Sequence, residues 1–170
     1  MSKLGKADYS ELEALYEKFK KLNDLQIYEF YESAAKELAA RLLSLVIPRT
    51  PVGNYSDLPE GFNKKQGGTL RRGWTGGKDT SAYQYAEMLD VRKMGHVYQI
   101  EIINPVDYAE YVEFGHRQTP GRYVPAIGKQ LKASWVDGAF MLTISEDELR
   151  QATPKILEAK INDLFKDVFG

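Results

Sequence analysis

Glu110 and Glu113 stand three positions apart, and His96 and His116 are the two histidines in a chain of 170 residues. Carboxylates at that spacing on a helix project from neighbouring positions. In a cleft that shifts their proton affinities they could act as general acid and base, the chemistry of a cell-wall hydrolase. On an amphipathic helix the same spacing marks the solvated side, and Glu110 and Glu113 are read that way. The chain has no cysteine and neither histidine belongs to an HExxH pair. A zinc site would therefore have to draw carboxylates from distant segments. Gly67-Gly68-Thr69-Leu70-Arg71 and Gly76-Gly77-Lys78-Asp79-Thr80 combine glycine with base, but neither has the spacing that cradles a nucleotide phosphate. No serine sits in a GxSxG elbow. The reading is a non-enzyme without metal or cofactor.

What remains is binding. Lys64, Lys65, Arg71, Arg72 and Lys78 gather in a glycine-rich stretch, and Arg117 and Arg122 lie in a later loop. Such bases can meet phosphate oxygens without sequence preference, pair with acidic surfaces of a neighbouring subunit, or stay solvated. The formal net charge is −1, so no global field favours a polyanion. Tyrosine is abundant, with 11 residues beside 7 Phe and 2 Trp. Its large rigid surface and polar tip suit protein interfaces.

Positioning these residues needs a core. A hydrophobic content of 43% fits a globular protein of about one domain. The segment Met1-Ser2-Lys3-Leu4-Gly5-Lys6 lacks the apolar run of a signal peptide. The longest apolar stretch, Leu38 to Ile47, is broken by Arg41 and Ser44 and is far shorter than the ~20 residues of a membrane helix. The chain is expected to be cytosolic where it is made, with no membrane contact.

Leu12, Leu15, Phe19 and Leu22 predict a helix over Asp8–Leu22. A longer helix follows from Asp24 to Val46, with Ile27, Tyr31, Ala34, Leu38, Leu42 and Leu45 as its apolar stripe and Pro48 as its stop. Residues 49–68, rich in Pro and Gly, read as a long loop. Leu70–Thr75 reads as a short strand, and Tyr85–Arg92 and Val97–Ile103 as a hairpin turning at Lys93–His96. Asn104-Pro105-Val106-Asp107 looks like a capped helix start, with Gly115 as the stop and a Gly/Pro loop running to Gly128. Ala139–Ile144 reads as a strand. Ser145-Glu146-Asp147-Glu148 fits a capping box for a last helix that Thr153-Pro154 should break or kink. The expected fold is α+β, with helices packed on a small antiparallel sheet. Its parts are N-terminal helices over 1–47, a loop over 48–69, a sheet with an inserted helix over 70–144 and a C-terminal helix over 145–170.

Three segments, in order, carry a resemblance. Arg49-Thr50-Pro51-Val52 is followed by Gly68-Thr69-Leu70-Arg71-Arg72-Gly73-Trp74. Next comes Asn104-Pro105-Val106-Asp107-Tyr108-Ala109-Glu110-Tyr111-Val112-Glu113-Phe114-Gly115-His116-Arg117. Gly121-Arg122-Tyr123-Val124-Pro125 and Phe140-Met141-Leu142-Thr143-Ile144-Ser145 complete the set. Together they resemble the tail-component, or tail-completion, family of long-tailed bacteriophages and related prophages, over the region from Arg49 onward.

The resemblance implies a structural virion protein at the neck, made in the host cytoplasm and needing no cofactor. It would assemble as a ring, sixfold to match the tail, between the tail tube or terminator protein and the head connector or adaptor. The motif positions are Thr50, Pro51, Leu70, Arg71, Trp74, Tyr108, Tyr111, Val112, Glu113, Phe114, Gly115 and His116. Tyr108, Val112 and Phe114 would anchor their helix in the core, and Trp74 would pin a strand. Lys64, Lys65, Arg71, Arg72, Arg117 and Arg122 would lie at an interface or on a loop facing the lumen, with nonspecific contact to packaged DNA as one use. Tail terminator, head-closure protein and a DNA-contacting module of the lumen are the alternative roles. The chain departs from the family by stretching the first motif with residues 53–67, by Ala126 where glycine is common, and by an inserted segment over 127–138 that carries Trp135.

Overall fold

The computed structural model describes residues 16–17, 24–54, 67–125 and 129–169. The helix expected over Asp8–Leu22 falls almost wholly outside them; within it, Tyr16 and Glu17 are helical. Lys64 and Lys65 also lie outside the described residues.

The central element is α1, Asp24–Arg49. It runs past the expected stop and includes Pro48. Pro48 offers no N–H to the Ser44 carbonyl, and the helix continues one residue past it. The expected apolar stripe is met in part, with Ala34 buried and Leu38, Leu42 and Leu45 half-buried. Ala34, Ala39, Ala40, Leu43 and Val46 are buried, while Ile27 and Tyr31 are exposed. Small residues at 39 and 40 let neighbouring elements approach closely, so the buried face lies about one position away from the largest side chains.

Two segments expected as strands are short helices. α2 is Thr69–Gly73 and α3 is Ala82–Glu87. In α2, Leu70 and the capping Trp74 are four apart and enter the core together. The start of α3 is a capping box: Ser81 Oγ accepts from the Gln84 N–H at 3.2 Å, and Gln84 Oε1 accepts from the Ser81 N–H at 3.1 Å. Short apolar runs with aromatic residues fit helix or strand equally by periodicity.

The hairpin is present. β1, Val91–Met94, pairs antiparallel with β2, Val97–Ile100, from Val91 opposite Ile100 to Met94 opposite Val97. Tyr98, Ile100 and Ile102 face inward, and Val97, Gln99, Glu101 and Ile103 are exposed, the expected alternation. The hairpin packs on α1, where Tyr31 and Tyr98 stack at 4.6 Å.

α4, Ala109–Phe114, starts later than Asn104 suggests. Asn104 Oδ1 accepts from the Val106 N–H at 3.3 Å, forming a local turn, and its Nδ2 donates to the Leu70 carbonyl at 2.8 Å. The loop expected after Gly115 contains strands. β3, Gly115–Arg117, pairs with β6, Trp135–Asp137, and β4, Tyr123–Val124, pairs with β5, Lys129–Gln130. Among the described residues the β structure is thus three separate two-stranded ribbons, and the α+β class stands.

The last helix, α5, is Met141–Phe169. Its first turns occupy the segment expected as a strand. Ser145 is no cap: it is buried inside the helix and donates to the Met141 carbonyl at 2.6 Å. Thr153-Pro154 does not break the helix; Thr153 Oγ1 donates to the Leu149 carbonyl at 2.8 Å. Arg49 meets Ser145 and Glu148, while Ser33 meets Lys160, so α1 and α5 are antiparallel. The core forms where Ala39, Ala40, Leu43 and Val46 of α1 meet Leu70, Trp74, Ala86 and Met141.

Candidate functional site

The first family-like segment converges at the end of α1. A helix C-terminus leaves carbonyls without partners. The Thr50 N–H caps the Val46 carbonyl at 2.9 Å, Thr50 Oγ1 donates to the same carbonyl at 2.7 Å, and that hydroxyl oxygen accepts from Trp74 Nε1 at 2.7 Å. The Thr50 carbonyl accepts from Arg71 Nε at 3.0 Å and Nη2 at 2.7 Å. Arg71 Nη2 also reaches the Pro48 carbonyl at 3.3 Å. Thr50 and Trp74 are both buried, so each polar atom needs its partner. Thr50, Leu70, Arg71 and Trp74 therefore form one knot that ties α1 to α2. Trp74 pins a helix end and not a strand. Arg72, beside it, is exposed and donates to the Gly67 carbonyl at 3.2 Å.

The second segment builds another junction. Phe140, just before α5, has φ of 47° and no side-chain oxygen to cap the helix. The cap comes from α4. Glu113 accepts from the Leu142 N–H at 2.9 Å, the Thr143 N–H at 2.9 Å and Thr143 Oγ1 at 2.7 Å. A carboxylate at a helix N-terminus is also favoured by the helix dipole. Backbone bonds add to the staple, from the Ala139 N–H to the Val112 carbonyl at 2.7 Å and from the Phe140 N–H to the Glu113 carbonyl at 3.0 Å. Glu113 is 5% exposed, so the expectation of a solvated pair holds for Glu110 alone. Gly115 ends α4 with φ of 82°, and a Cβ there would run into the Val136 carbonyl.

This staple displays side chains outward. Tyr108 and Phe114, expected as anchors, are 45% and 60% exposed; Val112, with Val106 and Ala109, packs on the core instead. Tyr111 is exposed and its ring meets His116 edge-on at 5.6 Å. Trp135, Val136, Phe140 and Ile144 are exposed as well. The ladder from Gly115–Asp137 to Arg117–Trp135 and the bonds to residues 139 and 140 hold them in one corner. Arg117 and Arg122 are exposed on the ribbons beyond it. His96 is exposed in the hairpin turn. Pro51, Val52, Leu70, Tyr108 and Val112 line a cleft of about 350 Å³ next to the first knot.

Sequence reasoning missed Glu113 as a cap and Ser81 as one. Ser81 had a legible signal, Gln84 three positions on. Glu113 had none, because its clients lie 29 and 30 residues away. Among the described residues no group of three His, Cys, Asp or Glu could hold a metal ion, and no helix is long and apolar enough to cross a membrane.

Comparison with known families gives a match over residues 13–115 to the family described as "Bacteriophage HK97-gp10, putative tail-component". The match spans more than half of the chain and covers both knots' first partners, from Thr50 to Gly115, while the third resembling segment lies beyond it. Neither the curated proteins nor the solved structures gave a match. With more than half of its length matched, the chain belongs to the HK97-gp10-like family of bacteriophage tail components.

Proposed function

We propose that this tail component acts at the neck, where it completes the tail and joins it to the head connector as a ring of identical copies, sixfold to match the tail. Its neighbours in the particle would be the tail tube or terminator protein on one side and the head adaptor on the other. The observation that carries the reading is the corner of exposed aromatic and aliphatic side chains at Phe114, Trp135, Phe140 and Ile144. Large exposed apolar side chains gathered around one junction suit protein–protein contact. The family segment builds it: Glu113 and Gly115 are spent on holding the corner rigid. A joining part needs such a preorganised surface, and its side chains need no reactive geometry.

The test is negative-stain microscopy of particles made without the gene. Full heads separate from free tails of normal length are expected. Overlong tails would move the role to tail termination, and normally joined particles would overturn the neck reading.

A further inference from the structure

The two long helices leave a groove of about 640 Å³ between them, near the start of α1. Gln26, Glu29, Phe30 and Ser33 line it from α1, at spacings of three and four that make one helix face. Asp163, Leu164 and Asp167 line it from α5 with the same spacing. The β1–β2 hairpin sits elsewhere on α1, where Tyr28 and Tyr31 meet Tyr98. Among the described residues only α1 and α5 border the groove.

The groove is apolar in part and acidic on balance. Phe30 and Leu164 are half-buried in its walls. Ile27, one turn before Phe30, and Ile161, one turn before Leu164, are 40% and 39% exposed. Glu29, Asp163 and Asp167 outnumber the one cation of the lining, Lys160, which donates to Ser33. Asp163 lies 3.4 Å from Lys166, while Glu29 and Asp167 make no ion pair among the described residues.

The chain just before α1 has the matching character. Leu12, Leu15, Phe19 and Leu22 form one apolar stripe, and Lys18, Lys20 and Lys21 crowd the end nearest α1. The acids Asp8, Glu11 and Glu13 belong to the far end. At about 100° per residue, Lys18 flanks the stripe and Glu17 lies opposite it. Tyr16 and Glu17 are helical and exposed, as the outer side of a helix with its stripe turned inward must be.

The connection decides which copy supplies the occupant. Only Asn23 separates Leu22 from α1. So short a link favours an antiparallel pair of helices. It also holds the stripe beside its own groove at an effective concentration of about millimolar, which a second copy would have to match.

We propose that residues 8–22 fold back as a helix onto this groove in the same chain, with Leu15, Phe19 and Leu22 against Phe30 and Leu164 and Lys18 beside the carboxylates. The acidic far end then runs past the groove. This end of the α1–α5 pair is covered within each copy and is not where a neighbour seats. The proposal does not depend on the neck reading, and its test needs no particle.

Hydrogen exchange read by mass spectrometry on the purified full chain tests it. Amides of residues 12–22 should exchange about tenfold or more slower than in a synthetic peptide of residues 8–22. Phe19→Asp should return them to peptide rates and speed exchange over 160–167, while 39–46 stays protected and so reports an intact core. Leu164→Asp, made from the groove side, should release the segment equally. Leu15→Asp repeats the reading should Phe19→Asp cost the core its protection. Segment amides at peptide rates in the wild type, or a released segment with no change over 160–167, would overturn the proposal. Protection that fades on dilution, together with a dimer in light scattering, would give the groove to a second copy's segment and overturn it too.

Discussion

Two side chains, Thr50 and Glu113, carry the junctions of the fold. Thr50 both donates and accepts within 2.7 Å, and Trp74 and Val46 would each lose a partner without it. Glu113 supplies the capping oxygens that Phe140 lacks. Replacing Glu113 with Ala removes a charged acceptor from two backbone N–H groups and one hydroxyl. The expected loss is about 1–3 kcal/mol of unfolding free energy, read as a lower urea midpoint. Glu113→Gln keeps one acceptor oxygen and should lose less. An unchanged midpoint in Glu113→Ala would show that water caps α5 equally well. Neither role could be read from local sequence, because Trp74 lies 24 residues from Thr50, and Leu142 and Thr143 lie 29 and 30 residues from Glu113. The motif positions were legible as a pattern long before their geometry could be.

At the scale of elements, legibility followed length and locality. α1 was legible because its periodic pattern runs for many turns, and the hairpin because its alternation is strict. α2 and α3 were not, since five or six residues hold too few periods to separate helix from strand. The start of α5 misled for a different reason: Ser145 with Glu148 has the local form of a cap, but the true cap comes from α4. The corner was half legible. Phe114 and Gly115 stood out in the sequence, whereas its completion by Trp135 and Phe140 depends on ribbon pairing. Pro154 lies inside α5 and carries no N–H for the Arg150 carbonyl. Pro154 is exposed, so Pro154→Ala leaves packing alone. It should raise stability by about 1–3 kcal/mol, given the cost of proline in a helix interior. A fall in the thermal midpoint would mean that this proline fits a bend that α5 needs.

At the scale of the molecule, the core draws on α1, α2, α3 and α5 together, so none of them encloses apolar contacts of its own. The expected outcome is one cooperative unfolding transition. Trp74 is buried in that core, and Trp135 is 48% exposed in the corner. Tryptophan fluorescence and far-ultraviolet circular dichroism should give coincident urea curves. A separate early fluorescence change would mean that the corner melts by itself.

The antiparallel pairing of α1 with α5 also sets a condition on synthesis. Arg49 and Glu148 are 99 residues apart in the chain, and Ser33 and Lys160 are 127 apart. Leu70, Trp74 and Ala86 can cover part of the buried face of α1 soon after it is made, but the part that Met141 covers must wait for α5. A chain ending before Met141 lacks that cover and is expected to be cut faster by a protease than the longer chain. The last helix thus certifies that a copy was translated through that point before it can be fitted into a particle.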